Sequence, residues 1–293
     1  MMPTAPAAAS QGRRGVAISA HRGGGEIAPE GTYDAYRAAL DAGADYLEFD
    51  VRRTADGELV AFHAARLRAA RVGQHSASQH SLGQHRAAGQ HRAAGQQRAS
   101  QHGASHHRAV SSLSYAELCR LAGYVVPTTS GVLALLAGRA GAHIDLKEPD
   151  CLGVIVSQAL RVLTPERIIV STGDQSAVAE LGSRWPAVPT GLTIGGDLAD
   201  TARYLAGRAR LPVQSPVDAV VAAGAGWAVV HERLARAGAL ADCRRRGLAT
   251  IVWTVNDDTA LARWLGCPDV DVVVTDRPRR AAALLGSSAH SSN

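Results

Sequence analysis

Apolar residues follow two periods along this chain, and the periods take turns. "VAISAHRG" has the near-continuous apolar character of a buried strand and then enters a glycine-rich loop. "GTYDAYRAALDAGA" puts Tyr33, Tyr36, Ala39 and Leu40 on one face of a helix. "YLEFDV" returns to a strand. Further on, "SYAELCRLAG" predicts a helix whose Ser114 and Glu117 have capping-box spacing, and "SGVLALLAGRAG" predicts another before the strand "AHIDLKEP". Helix and strand then follow in turn: "LGVIVSQALRVL" and "RIIVSTGD", "AVAELGSRW" and "PTGLTIGG". The chain closes with "GWAVVHE" (strand), "RLARAGALADCRRRG" (helix), "TIVWTVND" (strand), "DTALARWLG" (helix) and "DVDVVVTDRP" (strand). Such alternation requires parallel strands joined by helical crossovers. The predicted fold class is α/β. A (β/α)8 TIM barrel, with a small hairpin after the second strand, accounts for the count; a doubly wound open sheet is the competitor. No GxGxxG follows the first strand, which weakens the dinucleotide-binding form of that competitor.

One stretch breaks the pattern. "GQHRAAGQHRAAGQQRA" repeats a six-residue unit, with "GQHSASQHSLGQH" before it as a degenerate version. No apolar period runs through this region, so it lacks the buried surface to offset its ordering entropy. It is predicted to be a disordered insert at 67–110. The leader 1–15 and the tail 283–293 are also predicted to be disordered, which leaves one domain over 16–282.

Composition adds three limits. Aromatics make up only 4% of the chain, so the core must be built mostly from Ala, Val and Leu. The formal charge of +5 suggests nucleic acid until it is located. Between Glu58 and Glu117 there is no acidic residue, while seven arginines, from Arg66 to Arg108, account for more than the whole excess. The folded body is slightly acidic, and no nucleic-acid partner is expected. No apolar run reaches membrane-span length and the leader has no apolar core, so neither membrane insertion nor secretion is expected. Cys119, Cys151, Cys243 and Cys267 are scattered without CxxC spacing, which fits a cytoplasmic location.

Polar residues gather where the predicted strands end: His21-Arg22, Glu48/Asp50, Asp145/Lys147, Ser171-Thr172, Asn256 and Thr275-Asp276. In a β/α barrel those ends converge on one mouth. Strand parity puts Glu48 and Asp50 on one face, and a hard divalent ion is the natural answer to two carboxylates so close. Asp56-Gly57, read as the centre of a two-residue hairpin, sets Asp50 opposite His63. His21 ends the neighbouring strand, so two histidines flank the acidic pair, an arrangement suited to acid–base work near neutral pH. Asp145 offers a third carboxylate. Lys147, the only lysine in the chain, offers a compact charge for an anion. Together these residues suit phosphodiester hydrolysis.

The segment from "AHRGGGEIAPEGTYDAYRAAL" through "DAGADYLEFDVRRTADGELVAFH" closely resembles the opening signature of the glycerophosphodiester phosphodiesterase family: HRG, PENT, GAD-x-x-E-x-D-V, T-x-D-G and HD. "IDLKEP" resembles the family's E-x-K strand, and "VWTVND" with "VVVTDRP" its closing motifs; the likeness spans about residues 16 to 282. The resemblance implies a TIM barrel that hydrolyses glycerophosphodiesters to sn-glycerol 3-phosphate and an alcohol with one divalent cation, Mg²⁺ or Ca²⁺. It implies His21 and His63 as the catalytic pair and Glu48, Asp50 and Asp145 as metal ligands. Arg22 and Lys147 fall on phosphate-binding positions, Glu30 on a supporting one, and Trp253 on an aromatic wall of the substrate cavity. The implied partner is a small glycerophosphodiester; the oligomeric state is not readable.

Three departures stand out. PENT is "PEGT", with Gly31 in place of asparagine. Asp145 replaces the usual glutamate, as in the related spider-venom phospholipase D group. HD is "HA", with Ala64 in place of the aspartate. Two other readings therefore stay open: a phospholipase D-like or lyase phosphodiesterase, and a catalytically impaired member acting as a binding protein.

Overall fold

Side chains along the strands alternate between two apolar environments, one inside a barrel and one beneath a ring of helices. The computed structural model describes residues 15–68 and 107–290. The strands are β1 (Ala17–His21), β2 (Tyr46–Arg53), β3 (Leu59–Ala61), β4 (Arg66–Arg68), β5 (His107–Ala109), β6 (Gly141–Leu146), β7 (Ile168–Thr172), β8 (Thr190–Ile194), β9 (Trp227–His231), β10 (Ala249–Trp253) and β11 (Val272–Thr275). Eight of them, β1, β2 and β6 to β11, pair in parallel, and β1–β11 pairing closes the cylinder. This is the (β/α)8 barrel; the open sheet is ruled out by that closure.

Tyr46, Ile169, Trp227, Val229, Ile251, Val272 and Val274 fill the barrel axis. Residues of opposite parity, such as Leu47, Phe49, Ile144 and Val170, pack outward under the helices. The helices include α1 (Tyr33–Asp41), α2 (Tyr115–Ala122), α3 (Thr129–Leu136), α4 (Leu152–Leu160), α5 (Gln175–Arg184), α6 (Leu198–Arg208) and α7 (Pro216–Ala222). After these come α8 (Glu232–Arg236), α9 (Ala239–Arg245), α10 (Asp258–Leu265) and α11 (Pro278–His290). The capping box forms at Ser114, whose hydroxyl accepts from the Glu117 N–H while Glu117 accepts from the Ser114 N–H. None of the described helices is long and apolar enough to cross a membrane. All four cysteines are free.

The structure corrects four expectations. The hairpin pairs Val51 with Ala61, Arg52 with Val60 and Arg53 with Leu59, one residue away from the predicted register. Thr54 O accepts from the Gly57 N–H, and Gly57 is left-handed at φ +88°, so the loop is the three-residue kind. Asp50 accordingly faces Phe62, whose N–H donates to Asp50 O, rather than His63. The single helix expected over 233–247 is two, broken at left-handed Gly238. Helix α11 continues to His290, into the stretch assigned to the tail. The rims of the insert are ordered: Arg66–Arg68 pairs antiparallel with His107–Ala109, and a 3-10 turn follows at Val110–Ser112. The central 69–106, like 1–14 and 291–293, lies outside the described residues.

Candidate active site

Register brings the acidic residues together. β1 pairs with β2 so that His21 lies beside Glu48, and β2 pairs with β6 so that Asp50 lies beside Asp145. Carboxylate oxygens of Glu48, Asp50 and Asp145 fall within 4.8 Å of one another. Lys147 follows β6 and sets its Nζ between Asp145 Oδ2 (2.7 Å) and Asp50 Oδ1 (3.1 Å). A compact ammonium fits that gap between adjacent strands. Arg22 leaves β1 in the left-handed region, at φ +49°. That turn lets its backbone N–H donate to Glu48 Oε2 at 2.9 Å while its Nε donates to Asp50 Oδ2 at 3.1 Å. Its Nη1 reaches Glu30 Oε1 at 3.1 Å. His63 comes in from beyond β3, with Nδ1 3.6 Å from Asp50 Oδ2. Trp253 closes one wall, its indole N–H donating to Val229 O. Glu30 apart, the predicted site residues line one open cavity of about 570 Å³ at the C-terminal mouth of the barrel. Glu30 lines an adjoining one of about 220 Å³.

The electrostatics follow from crowding. Burial and neighbouring Asp50 push the Glu48 carboxyl up to about 8. Burial also opposes ionisation of Asp50, but Lys147, His63 and Arg22 together hold it below the usual carboxylate range. Asp145 is raised by burial, against the pull of Lys147. A carboxylate set that cannot all ionise unaided, made only of oxygen donors, is what a hard divalent cation fits. Burial lowers His21, yet Glu48 and the hydrogen bond its ring donates to Asp276 outweigh it and leave the ring raised. His63 is lowered by burial, with Arg22, Lys147 and His21 opposing its charge.

Three residues join the site that were not on the candidate list. Asp276 follows β11 and holds His21 Nδ1 at 2.6 Å. Asn256 holds Asp276 in turn, its Oδ1 accepting the Asp276 N–H at 2.9 Å and its amide reaching Asp276 Oδ2. His143 lies buried one layer below, between Ser19 Oγ and Ser171 Oγ at 3.2 Å each, and burial pushes it down to about 3. The signal for His143 was available, because it shares strand parity with Asp145 and Lys147. Asp276 and Asn256 had appeared only as polar strand ends.

A model of the glycerophosphoryl diester phosphodiesterase family matches residues 21–280, taking in every candidate residue. The chain belongs to this family. Among curated relatives, the probable glycerophosphodiester phosphodiesterase 1 of Mycobacterium tuberculosis (strain CDC 1551 / Oshkosh) is 45% identical over 67 residues, 23% of this chain. That match spans only 24% of the relative's length. The glycerophosphodiester phosphodiesterase of Bacillus subtilis (strain 168) is 22% identical over 256 residues, 84% of this chain and 78% of that one. Solved structures share the fold. The putative Silicibacter pomeroyi glycerophosphoryl diester phosphodiesterase superposes with a TM-score of 0.67 at 21% identity, covering 95% of this chain and 96% of that one. An Oleispira antarctica phosphodiesterase in complex with the product sn-glycerol-3-phosphate superposes with a TM-score of 0.61 at 18% identity, covering 93% and 97%.

Two departures from the family signature differ in consequence. Gly31 sits at φ +71° and donates its N–H to Arg22 O at 2.8 Å. Asparagine and glycine are the residues that adopt this conformation most readily, so the exchange preserves the loop that carries Glu30. Ala64 removes a side chain next to His63. The His63 side chain is 53% exposed and makes no side-chain hydrogen bond among the described residues. One histidine is braced and the other is not.

Proposed function

We propose that this protein is a metal-dependent hydrolase of glycerophosphodiesters, releasing sn-glycerol 3-phosphate and an alcohol. The observation that carries the reading is the trio of Glu48, Asp50 and Asp145, with Arg22 and Lys147 against them and His21 and His63 at the same cavity. Glu48, Asp50 and Asp145 would hold one divalent cation, Mg²⁺ or Ca²⁺. Such a cation, when bound, supplies Lewis-acid stabilisation of the phosphoryl oxygens. With a divalent ion bound and all three carboxylates ionised around it, the ion, Arg22 and Lys147 would leave the site one net positive charge, matched to a monoanionic phosphodiester.

Arg22 and Lys147 have N–H donors to spare for the non-bridging oxygens, where charge builds in the transition state. One histidine takes a proton from the attacking water as the new P–O bond forms. The other gives a proton to the alcohol oxygen as the old bond breaks. Glu30 supports this by steadying Arg22, and Trp253 offers an apolar wall to the organic part of the substrate. The four free thiols fit a reducing cytoplasm as the place of work.

The test is turnover of glycerophosphocholine and related diesters by purified protein, with Mg²⁺ or Ca²⁺, with chelator, and with His21→Ala. Release of glycerol 3-phosphate that chelator and His21→Ala both abolish is expected. Intact substrate across the panel would overturn the reading. A cyclic phosphate product in ³¹P NMR would replace it with the lyase.

A further inference from the structure

The smaller cavity beside the proposed catalytic groups is lined by a buried tyrosine whose hydroxyl has nothing to bond. Tyr36 lies on α1 and is 1% exposed. Its hydroxyl has no hydrogen-bond partner among the described residues. Nor is it one of their sealed, unbonded side-chain atoms, which are Thr193 Oγ1, Thr201 Oγ1 and Trp227 Nε1. The hydroxyl is therefore the part of Tyr36 that solvent still reaches, and the cavity of about 220 Å³ is where the residue opens. Gly23 holds the ring in place: a Cβ there would come within 2.7 Å of the Tyr36 backbone N and 3.0 Å of its Cδ1. Burial, with the Glu48 and Asp50 carboxylates nearby, raises the phenol well above its ordinary pKa, so it stays a neutral hydroxyl that both donates and accepts.

An unbonded hydroxyl in such a place is destabilising unless something pairs with it. Glu30 lines the same cavity; its Oε1 accepts from Arg22, and its Oε2 has no partner among the described residues. This cavity and the larger one of about 570 Å³ share Arg22, Asp50 and His63. A phosphodiester held by those shared groups has two arms leaving phosphorus in different directions, one for each cavity. The cavities differ in chemistry. Trp253, Val229 and Val274 give the larger an apolar wall. The smaller offers a free hydroxyl and a free carboxylate oxygen without surplus charge, since Arg22 and Lys147 stand against Glu30 and Asp50. A cationic arm gains nothing from that balance, whereas a polyol finds partners for its hydroxyls. At roughly 30 Å³ per water the space equals about seven waters, enough for a glyceryl arm.

We propose that the smaller cavity is the glyceryl subsite and that Tyr36 is its specificity-determining residue. The Tyr36 hydroxyl pairs with one glycerol hydroxyl, and the other donates to Glu30 Oε2. This rests on the glycerophosphodiester reading above. The glyceryl arm then stays in its own cavity when the P–O bond to the alcohol breaks, and the alcohol departs along the Trp253 wall of the larger one. A site that bonds a substrate hydroxyl discriminates against an analogue lacking it, because its polar groups are then left unpaired.

Calorimetric binding of sn-glycerol 3-phosphate and of propyl phosphate, which lacks both hydroxyls, tests this in the presence of Mg²⁺ or Ca²⁺. The unaltered protein should prefer glycerol 3-phosphate, and Tyr36→Phe should cut that preference about tenfold. Tyr33→Phe is the control, on the same helix but with its hydroxyl accepting the Thr128 N–H at 3.2 Å, and it should keep the preference. Tyr36→Phe removes an unbonded group and should keep its Tm. A clear fall in Tm would mean that the hydroxyl is bonded within the protein, and overturns the proposal. Failure of both phosphates to bind, equal binding of the two, or a preference that survives Tyr36→Phe does the same. Phosphocholine weakened in place of glycerol 3-phosphate would give the cavity to a cationic arm and also overturn it. Turnover of glycerophosphocholine, measured in parallel, separates the two readings: a protein that hydrolyses nothing yet shows the Tyr36-dependent preference keeps the subsite and loses the reaction.

Discussion

His21 Nδ1 and Asp276 Oδ1 stand 2.6 Å apart, although 255 residues separate them in the chain. The bond fixes which ring nitrogen faces the cavity, because Nδ1 is committed to the carboxylate and Nε2 is left for substrate. Asp276 is thus a positioning residue for a proposed catalytic group. Asp276→Asn keeps the shape and loses the charge. We expect kcat to fall within the ~10²–10⁴-fold that acid–base catalysis contributes, with KM little changed. Since Asp276 raises the His21 pKa, the corresponding limb of the pH–rate profile should move to lower pH in the variant. A profile that keeps its shape and position while the rate drops would point to a merely structural role.

That bond depends on a glycine. A Cβ on Gly24 would lie 2.6 Å from Pro278 Cδ and 2.9 Å from Asp276 O, and the residue sits at φ +79°. Gly24→Ala therefore strains the turn and pushes the start of α11 away from β1. We expect a loss of about 2 kcal/mol or more, together with a fall in turnover. Gly25→Ala is the control: nothing lies within 4 Å of its Cβ position and its φ is not positive, so Tm and turnover should hold. Equal effects from the two would refute the close-approach argument.

Strand parity made most of the site legible. Glu48 with Asp50, and Asp145 with Lys147, follow from the two-residue period alone, whatever the strands pack against. The hairpin register did not follow, because Asp56-Gly57 suits both a two-residue loop and the last two places of a three-residue loop. Thr54 decides for the latter, its Oγ1 bonding Asp56 and accepting the Glu58 N–H at 3.0 Å. His63 still reaches Asp50, since β3 ends at Ala61 and the chain turns in beyond it. Helix α6 gave no inward apolar period to read, with Tyr204 alone buried. The Asp276 partnership is a product of barrel closure between β1 and β11, and no local pattern encodes it.

Glu48 and Asp50 should respond in opposite ways to loss of charge. In metal-free protein Glu48 is held protonated up to about pH 8 by burial and by Asp50. A raised carboxyl pKa means the native state keeps a proton that the unfolded chain releases. Stability contributed by Glu48 is therefore lost as pH rises from about 4.5 toward 8. Glu48→Gln should change metal-free stability by no more than about 1 kcal/mol at acidic pH, where the carboxyl is neutral in both states, and should flatten the decline above it, so that the variant is the more stable protein toward pH 8. Asp50→Asn instead takes an anion from Arg22 and Lys147, at a cost of up to about 3–5 kcal/mol. The proposed metal site predicts that Mg²⁺ or Ca²⁺ raises the Tm of the unaltered protein and that both variants lose this rise. Urea unfolding across pH, with and without metal, measures all three effects. A Glu48→Gln protein that keeps the full metal-induced shift would remove Glu48 from the ligand set.

Ala64 offers a gain rather than a loss. It borders the cavity of about 220 Å³ that also touches Arg22, Glu30 and His63, so there is room for a larger side chain. His63 lies 3.6 Å from Asp50, beyond hydrogen-bonding distance, and its side chain is 53% exposed. An exposed ring without a hydrogen bond has several rotamers open to it, and each unproductive one would lower the fraction poised for proton transfer. Ala64→Asp puts a carboxylate within one residue of the ring, as in the HD of the family signature. We expect kcat to rise by about tenfold, equivalent to about 1.4 kcal/mol of barrier, with metal affinity unchanged. Because a carboxylate neighbour favours the imidazolium, the His63 limb of the pH–rate profile should move to higher pH at the same time. A rate that stays flat with an unmoved limb would mean that Asp50 alone orients His63 well enough, and that Ala64 leaves the site unimpaired.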